Sequence, residues 1–161
     1  MLIIRNMKES DVKEIARMER ESFTDAWSEK SIYDTFCQTQ AFVVVAEEGK
    51  DIAGYCIVYF VMDEGEIARI AVEQNFRRQG VGRKLLEQVE MLCKEKGIAK
   101  LLLDVRQSNA AARSFYENYG FDEDGIRKDF YELPKESAIL MSKRLHLEIQ
   151  TRINSSGSSS Q

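Results

Sequence analysis

Three groups of residues in this chain have types and spacings that could do chemistry. The first is Arg77-Arg78-Gln79-Gly80-Val81-Gly82-Arg83-Lys84, set between an apolar segment ending Ile70-Ala71-Val72 and an amphipathic stretch. A strand, a glycine-bearing loop and a helix start together make an anion site. The first amides of a helix have no intrahelical partner, and the macrodipole adds partial positive charge there. Gly80 and Gly82 let the backbone close on a ligand where a Cβ would collide. Arg77, Arg78, Arg83 and Lys84 surround the turn with positive charge, which suits phosphates. The run is neither Gly-x-x-x-x-Gly-Lys-Ser/Thr nor a three-glycine dinucleotide fingerprint. Its plain alternative is a glycine pair capping an ordinary surface helix.

The second group is a single carboxylate. Asp104 interrupts the otherwise apolar run LLLDV, and an acid on a central strand is costly unless it meets water, a partner or a cleft. It is either a group capping the turn at the strand's exposed end or a general base. The third group is NAAARSFYENY (109–119), where Asn109 and Tyr116 are seven residues apart and share one helical face, roughly 10 Å apart along the axis. Ala111, Phe115 and Tyr119 form the neighbouring stripe. Three consecutive alanines let something approach closely. Tyr116 is either amphipathic packing or part of a ligand-facing surface.

These groups need elements to hold them. Val81, Leu85, Leu86, Val89 and Leu92 recur at helical spacing, predicting a helix from the glycine loop to a C′-type glycine at Gly97. Lys100–Arg106 reads as the strand carrying Asp104, and residues 109–119 as a short helix closed by Gly120. Upstream, residues 2–5 form a strand. Ser10-Asp11 caps a helix with inner face Val12, Ile15 and Ala16, and Glu14 completes a capping box. Ser28 starts a second helix carrying Ile32 and Phe36. Trp27 before it either staples that helix or walls a substrate groove. Residues 41–46, 52–62 and 65–72 form an antiparallel meander feeding the glycine loop. Two last strands, near 121–127 and 137–143, bracket a polar connection containing Pro134. The expected fold is therefore mixed α/β: a mostly antiparallel sheet of about seven strands with helices on both faces.

Composition narrows the class. The 161 residues, 43% hydrophobic and 31% charged, fit one domain over residues 1–145, followed by a polar, low-complexity tail (146–161) expected to be disordered. No apolar run approaches the ~20 residues of a membrane span, and the N-terminus lacks a signal-peptide pattern. The net charge of -4 argues against a non-specific nucleic-acid binder and suits an amine-bearing partner. Cys37, Cys56 and Cys93 share no metal-like spacing and read as free thiols of a reducing cytoplasm. The single histidine, His146, lies near the tail, so neither a histidine mechanism nor a zinc site is expected.

Arg-x-x-Gly-x-Gly between strand and helix resembles the pyrophosphate loop of the GNAT N-acetyltransferases, which bind acetyl-CoA. The element order over about residues 2–145 is also similar to that family's. The segments WSEKS (27–31), IAV (70–72), RRQGVGRKLLE (77–87), DVRQSNAAA (104–112) and FYENYGF (115–121) resemble its RimI-type branch. Those bacterial enzymes acetylate the N-terminal alanine of a small-subunit ribosomal protein. The resemblance implies that backbone at Ile70, Ala71 and Val72 pairs with the pantetheine arm, and that the loop Arg78, Gln79, Gly80, Val81, Gly82 and Arg83 holds the pyrophosphate. It implies that Asn109 contacts the cofactor and that Tyr116 protonates the leaving thiolate. The family's base is a glutamate in an E-V-R triplet where this chain has Asp104. The shorter side chain points to a water relay, or to help from Glu64 or Glu66. An α-amine with a pKa near ~8 must lose a proton before it attacks, and an amide near Ile70 and Ala71 is expected to stabilise the oxyanion. Direct transfer is expected rather than an acyl-enzyme, since Cys56 lies mid-strand, Cys93 lies on a helix with an apolar inner face, and neither has a histidine near in sequence. A small-amine acetyltransferase and a non-catalytic acetyl-CoA-binding module are the competing readings.

Overall fold

A computed structural model describes residues 1–146 of the chain. The expected tail, from residue 147 on, lies outside the described residues. The elements follow the order read from sequence: β1 (Leu2–Asn6), α1 (Val12–Ser22), α2 (Glu29–Cys37), β2 (Ala41–Glu48), β3 (Asp51–Val61), β4 (Glu64–Val72), α3 (Val81–Glu95), β5 (Lys100–Arg106), α4 (Ala110–Tyr119), β6 (Asp122–Glu132) and β7 (Lys135–Arg144). The seven strands form one sheet in the order β1-β2-β3-β4-β5-β7-β6. Every neighbouring pair is antiparallel except β4 and β5.

Two cores sit on the sheet's two faces. Val81, Leu85, Leu86, Val89 and Cys93 of α3 bury against Val44, Cys56, Val58 and Ile67, and α4 joins that side through Ala112, Phe115, Tyr116 and Tyr119. On the other face Val12, Ile15, Ala16 and Met18 of α1 and Ile32 of α2 cover Val43, Val45, Tyr55 and Ile57. The two covering helices reach β2, β3 and part of β4. In β5 the buried residues Leu101, Leu103 and Val105 alternate with half-buried Leu102, Asp104 and Arg106, which stand on the side of α1 and α2.

The join between β4 and β5 is short. It pairs only Glu64, Gly65 and Glu66 with Lys100, Leu101 and Leu102. Beyond it the two strands diverge, and a bulge at Ala68 shifts the β3–β4 register there. Gly54 makes a second special contact. A Cβ on it would stand 2.7 Å from the Ala71 carbonyl, 3.2 Å from Leu85 and 3.3 Å from Val81, so the start of α3 sits directly on β3.

Three local expectations change. A turn of 3-10 helix, Glu9–Asp11, precedes α1, and the capping carboxylate is Asp11 itself, which accepts from the Lys8 amide at 2.8 Å and from Arg5. Glu14 pairs instead with Arg17 on the helix surface. On α4, Ala111 is exposed and Ala112 takes the inward place. β6 runs five residues past the expected end at 127 and β7 begins two residues before 137, so the connection at Pro134 is a tight hairpin turn and not a polar loop. The β6 face is exposed along nearly its whole length, which hid its strand pattern.

Candidate active site

The divergence of β4 from β5 sets up the site. The Glu73 amide donates to the Ala53 carbonyl (2.8 Å), which puts Ala71, opposite Tyr55, on the bonded register of β3 and β4. Antiparallel bonding alternates, so Ile70 and Val72 turn their N–H and C=O groups the other way, into the space β5 has left. A groove of about 540 Å³ opens there, lined by Ile70, Ala71, Val72, Gly80, Val81 and Gly82, by Arg77, Arg78 and Arg83, and by Ala112, Phe115 and Tyr116.

Its closed end is the glycine loop. Arg78 (φ 65°) and Gly80 (φ 76°) are both left-handed, and Gly80 is the N-cap of α3 with open space around it. The first amides of α3 therefore face the groove without side-chain caps, as anion-binding amides should. Gly82 has a different task from the one expected. A Cβ there would meet the Phe115 ring at 3.0 Å, so its missing side chain lets α4 close against α3. Arg77 binds the Val72 carbonyl (3.2 Å), joining the loop to the end of β4. Gln79 donates to the Asn75 carbonyl (3.3 Å) and lies outside the groove wall.

Tyr116 stands in the groove wall with its ring buried between Phe115 (5.2 Å between centroids) and Phe121 (5.6 Å). Its hydroxyl has no hydrogen bond among the described residues, where no sealed polar side-chain atom lacks one, so that oxygen reaches the groove. Burial raises its pKa, aided by Cys56, Tyr131 and Asp104. Asn109 is not on this wall. It is the N-cap of α4, its Oδ1 accepting from the Ala112 amide at 3.1 Å. That bond explains the residue structurally and leaves the amide nitrogen as its donor for a ligand.

Asp104 lies across the split, on the opposite face of the sheet. Its bonded neighbour is Tyr131 of β6, whose hydroxyl donates to Oδ1 at 3.0 Å. No hydrogen bond joins it to Glu64 or Glu66 among the described residues. Tyr131 is itself held. The Arg106 guanidinium lies 4.3 Å from its ring centre and donates to the Leu133 and Pro134 carbonyls at the hairpin tip. Facing this hairpin is the loop between α1 and α2, which Thr24 links to the Leu133 carbonyl (3.5 Å). Glu19, fully buried, fixes that loop. It accepts from Arg69 (3.0 Å), the Tyr55 hydroxyl and the Trp27 amide (3.1 Å), while Arg69 reaches on to Asp25 and lies over Phe23. Trp27 packs against Tyr59 beside this network, stapling the loop.

Tyr131, Arg106, Glu19 and Arg69 were not singled out from sequence. Glu19 left a signal, since it falls on the apolar stripe of Val12, Ile15 and Ala16. Arg69 likewise interrupts an apolar strand. Tyr131 left none. The two buried thiols are inert as nucleophiles: burial pushes Cys93 up to about 12 and Cys56 higher still. Among the described residues there is no cluster with the makings of a metal site.

Residues 12–121 match the acetyltransferase (GNAT) family. A protein of Escherichia coli (strain K12) named [ribosomal protein bS18]-alanine N-acetyltransferase is 34% identical over 144 residues, covering 88% of this chain and 97% of its own. A Bacillus subtilis (strain 168) relative carrying that name provisionally is 36% identical over 139 residues, covering 86% and 92%. The crystal structure of the Escherichia coli ribosomal-protein-S18-alanine N-acetyltransferase superposes with a TM-score of 0.84 at 31% identity, covering 94% of this chain and 98% of that one. With the split sheet, the left-handed loop and the groove between them, these likenesses place the chain in the acetyltransferase (GNAT) family.

Proposed function

We propose that this acetyltransferase moves the acetyl group of acetyl-CoA onto the N-terminal α-amine of a protein, the alanine-starting ribosomal protein of the bS18 type, by direct attack. The observation that carries the reading is the placing of Tyr116 and Asp104 on opposite sides of one gap in the sheet, with unpaired strand amides between them. The residues present fit the donor. The α3 amides with Arg78 and Arg83 suit a pyrophosphate, Ile70 and Val72 offer strand bonds to an amide-bearing arm, and the Asn109 amide nitrogen is free to donate. Acetyl-CoA supplies an acyl carbon already activated as a thioester.

The protein's own groups do the rest. Asp104 receives the proton that the α-ammonium must lose. The Ile70 amide, pointing into the gap, stabilises negative charge as it develops on the acyl oxygen; the Ala71 amide is already bonded to β3. Tyr116, protonated and buried, gives its proton to the departing sulfur. No cysteine intermediate is needed, because both buried thiols stay protonated at neutral pH.

The acceptor side suits a cation. In this bonded network four carboxylates, Glu19, Asp25, Asp104 and Glu136, stand with two guanidinium groups, Arg69 and Arg106, an excess of negative charge within the network. Asp63 and Glu64 stand at the far end of β4, about 20 Å or more from Val72 at strand rise, and belong to a solvated turn. No described helix is long and apolar enough to cross a membrane, and we assign the enzyme to the cytoplasm, where ribosomal proteins are made. Mass spectrometry of an alanine-starting, arginine-rich peptide incubated with enzyme and acetyl-CoA tests the proposal, with a small-amine panel alongside. One acetyl on the peptide's α-amine is expected. An untouched peptide beside an acetylated small amine overturns the acceptor and keeps the donor.

A further inference from the structure

Asp104 is one methylene shorter than a glutamate, so its carboxylate stops about 1.5 Å short of where a glutamate's would reach. The group that meets the short side chain is the Tyr131 hydroxyl, 3.0 Å from Oδ1. This contact is not incidental surface packing. Tyr131 is half-buried, its ring lies under Arg106 and meets Phe130 edge-on, and Arg106 is tied to two carbonyls of the same hairpin and to Glu136. The β6–β7 hairpin is thus clamped with one phenol aimed at the carboxylate. A phenol that donates to Asp104 keeps oxygen lone pairs for a donor on its other side, which an incoming ammonium supplies.

Resting on the proposed function, we infer that Tyr131 is a second catalytic residue, relaying the acceptor's proton to Asp104. In this step the ammonium N–H bond breaks and its proton passes to the Tyr131 oxygen, while the Tyr131 O–H proton passes to Asp104 Oδ1. The balance is a neutral amine, a protonated Asp104 and an unchanged phenol. Burial, with the neighbouring Asp104, holds Tyr131 in its protonated form before the step. The relay takes the place of the bridging water or second glutamate that a short base would otherwise need.

Full-length Tyr131→Phe keeps the ring and its packing against Arg106 and loses only the hydroxyl. Steady-state rates with the alanine-starting peptide are expected to show kcat lower by on the order of 10²-fold with the KM for acetyl-CoA unchanged. Adding Asp104→Glu to Tyr131→Phe is expected to recover roughly tenfold or more, because the longer carboxylate reaches the amine unaided. In an Asp104→Asn background Tyr131→Phe is expected to cost nothing further, since a relay with no terminus carries no proton. Three results overturn the inference: native kcat in Tyr131→Phe, a loss confined to the peptide KM, or a full further loss in the Asp104→Asn background. Native kcat in Asp104→Asn is a separate outcome, and it removes the proposed base itself.

Discussion

A phenol buried as Tyr116 is holds its proton past the pH at which tyrosine in water loses it, because burial penalises the charged form first and Cys56, Tyr131 and Asp104 add to the effect. A raised pKa keeps the proton-donating form fully populated below it, so the proposed acid is present at neutral pH and lost only beyond the usual 10. The kcat profile for peptide acetylation is therefore expected to lack a falling alkaline limb up to about pH 10. Tyr116→Phe is expected to lower kcat by roughly 10²- to 10⁴-fold while leaving CoA affinity, measured by calorimetry, unchanged. Loss of CoA binding in that variant would make Tyr116 a wall of the groove and nothing more. Asp104 and Tyr116 were legible in the sequence as candidates because each breaks a local pattern, an acid in an apolar strand and a tyrosine at a helical border. Asn109 was half legible: the sequence marks it as the first residue of a short helix and, by resemblance, a cofactor contact, and the structure uses its oxygen to cap that helix. Tyr131 was invisible, since its meaning lies in a bond to a residue 27 positions away.

Among the elements, α3 and the loop between α1 and α2 are held in place by contacts that sequence periodicity does not encode. The inner face of α3 was plain from its leucines and valines. Its height above the sheet depends on Gly54, where any Cβ would strike the Ala71 carbonyl at 2.7 Å and the first turn of α3 through Val81. Backbone cannot yield as a side chain can, so Gly54→Ala is expected to lift the start of α3 and spread the groove. Acetyl-CoA affinity should fall, read by calorimetry, and the melting temperature with it; unchanged values of both would show that α3 adjusts freely. The loop before α2 hangs on Glu19. Removing that carboxylate leaves Arg69 with a single exposed partner in Asp25 and leaves the Tyr55 hydroxyl unpaired. Breaking a buried pair on one side costs about 3–5 kcal/mol, so Glu19→Ala is expected to lower stability by that order in urea titration. A loss under about 1 kcal/mol would mean the pair behaves as a surface contact. The meander, the four helices and the order of elements were readable because each helix and strand of the meander has its own periodicity. The reach of β6 was not, since a strand exposed on nearly all its residues carries no apolar alternation.

At the scale of the whole molecule, the sheet is two ribbons, β1–β4 and β5–β7–β6, joined by three residue pairs of parallel ladder and by the packing of α3 and α4. The groove is the gap between the ribbons, so whatever fills it bonds to the strand that the gap leaves unpaired and bridges both halves. A ligand that binds only the folded chain stabilises it by about 2.7 kcal/mol at a concentration of 100 times its Kd, and at this size each kcal/mol raises the melting temperature by about 2–4 °C. Melting-temperature gain alone would not say where the ligand lies. Amide hydrogen exchange does, because the strand alternates. Ile70 and Val72 point their amides into the gap, whereas Ala71 is on the bonded register with Tyr55. Saturating acetyl-CoA is expected to slow exchange at Ile70 and Val72 and at the first amides of α3, and to leave Ala71 at its already protected rate. Protection of the α3 amides without Ile70 and Val72 would place only the phosphates in the groove and overturn the strand-pairing of the pantetheine arm. Protection spread evenly over residues 70–72 would report general tightening of the two ribbons, since a third strand laid against β4 can bond only to alternate residues.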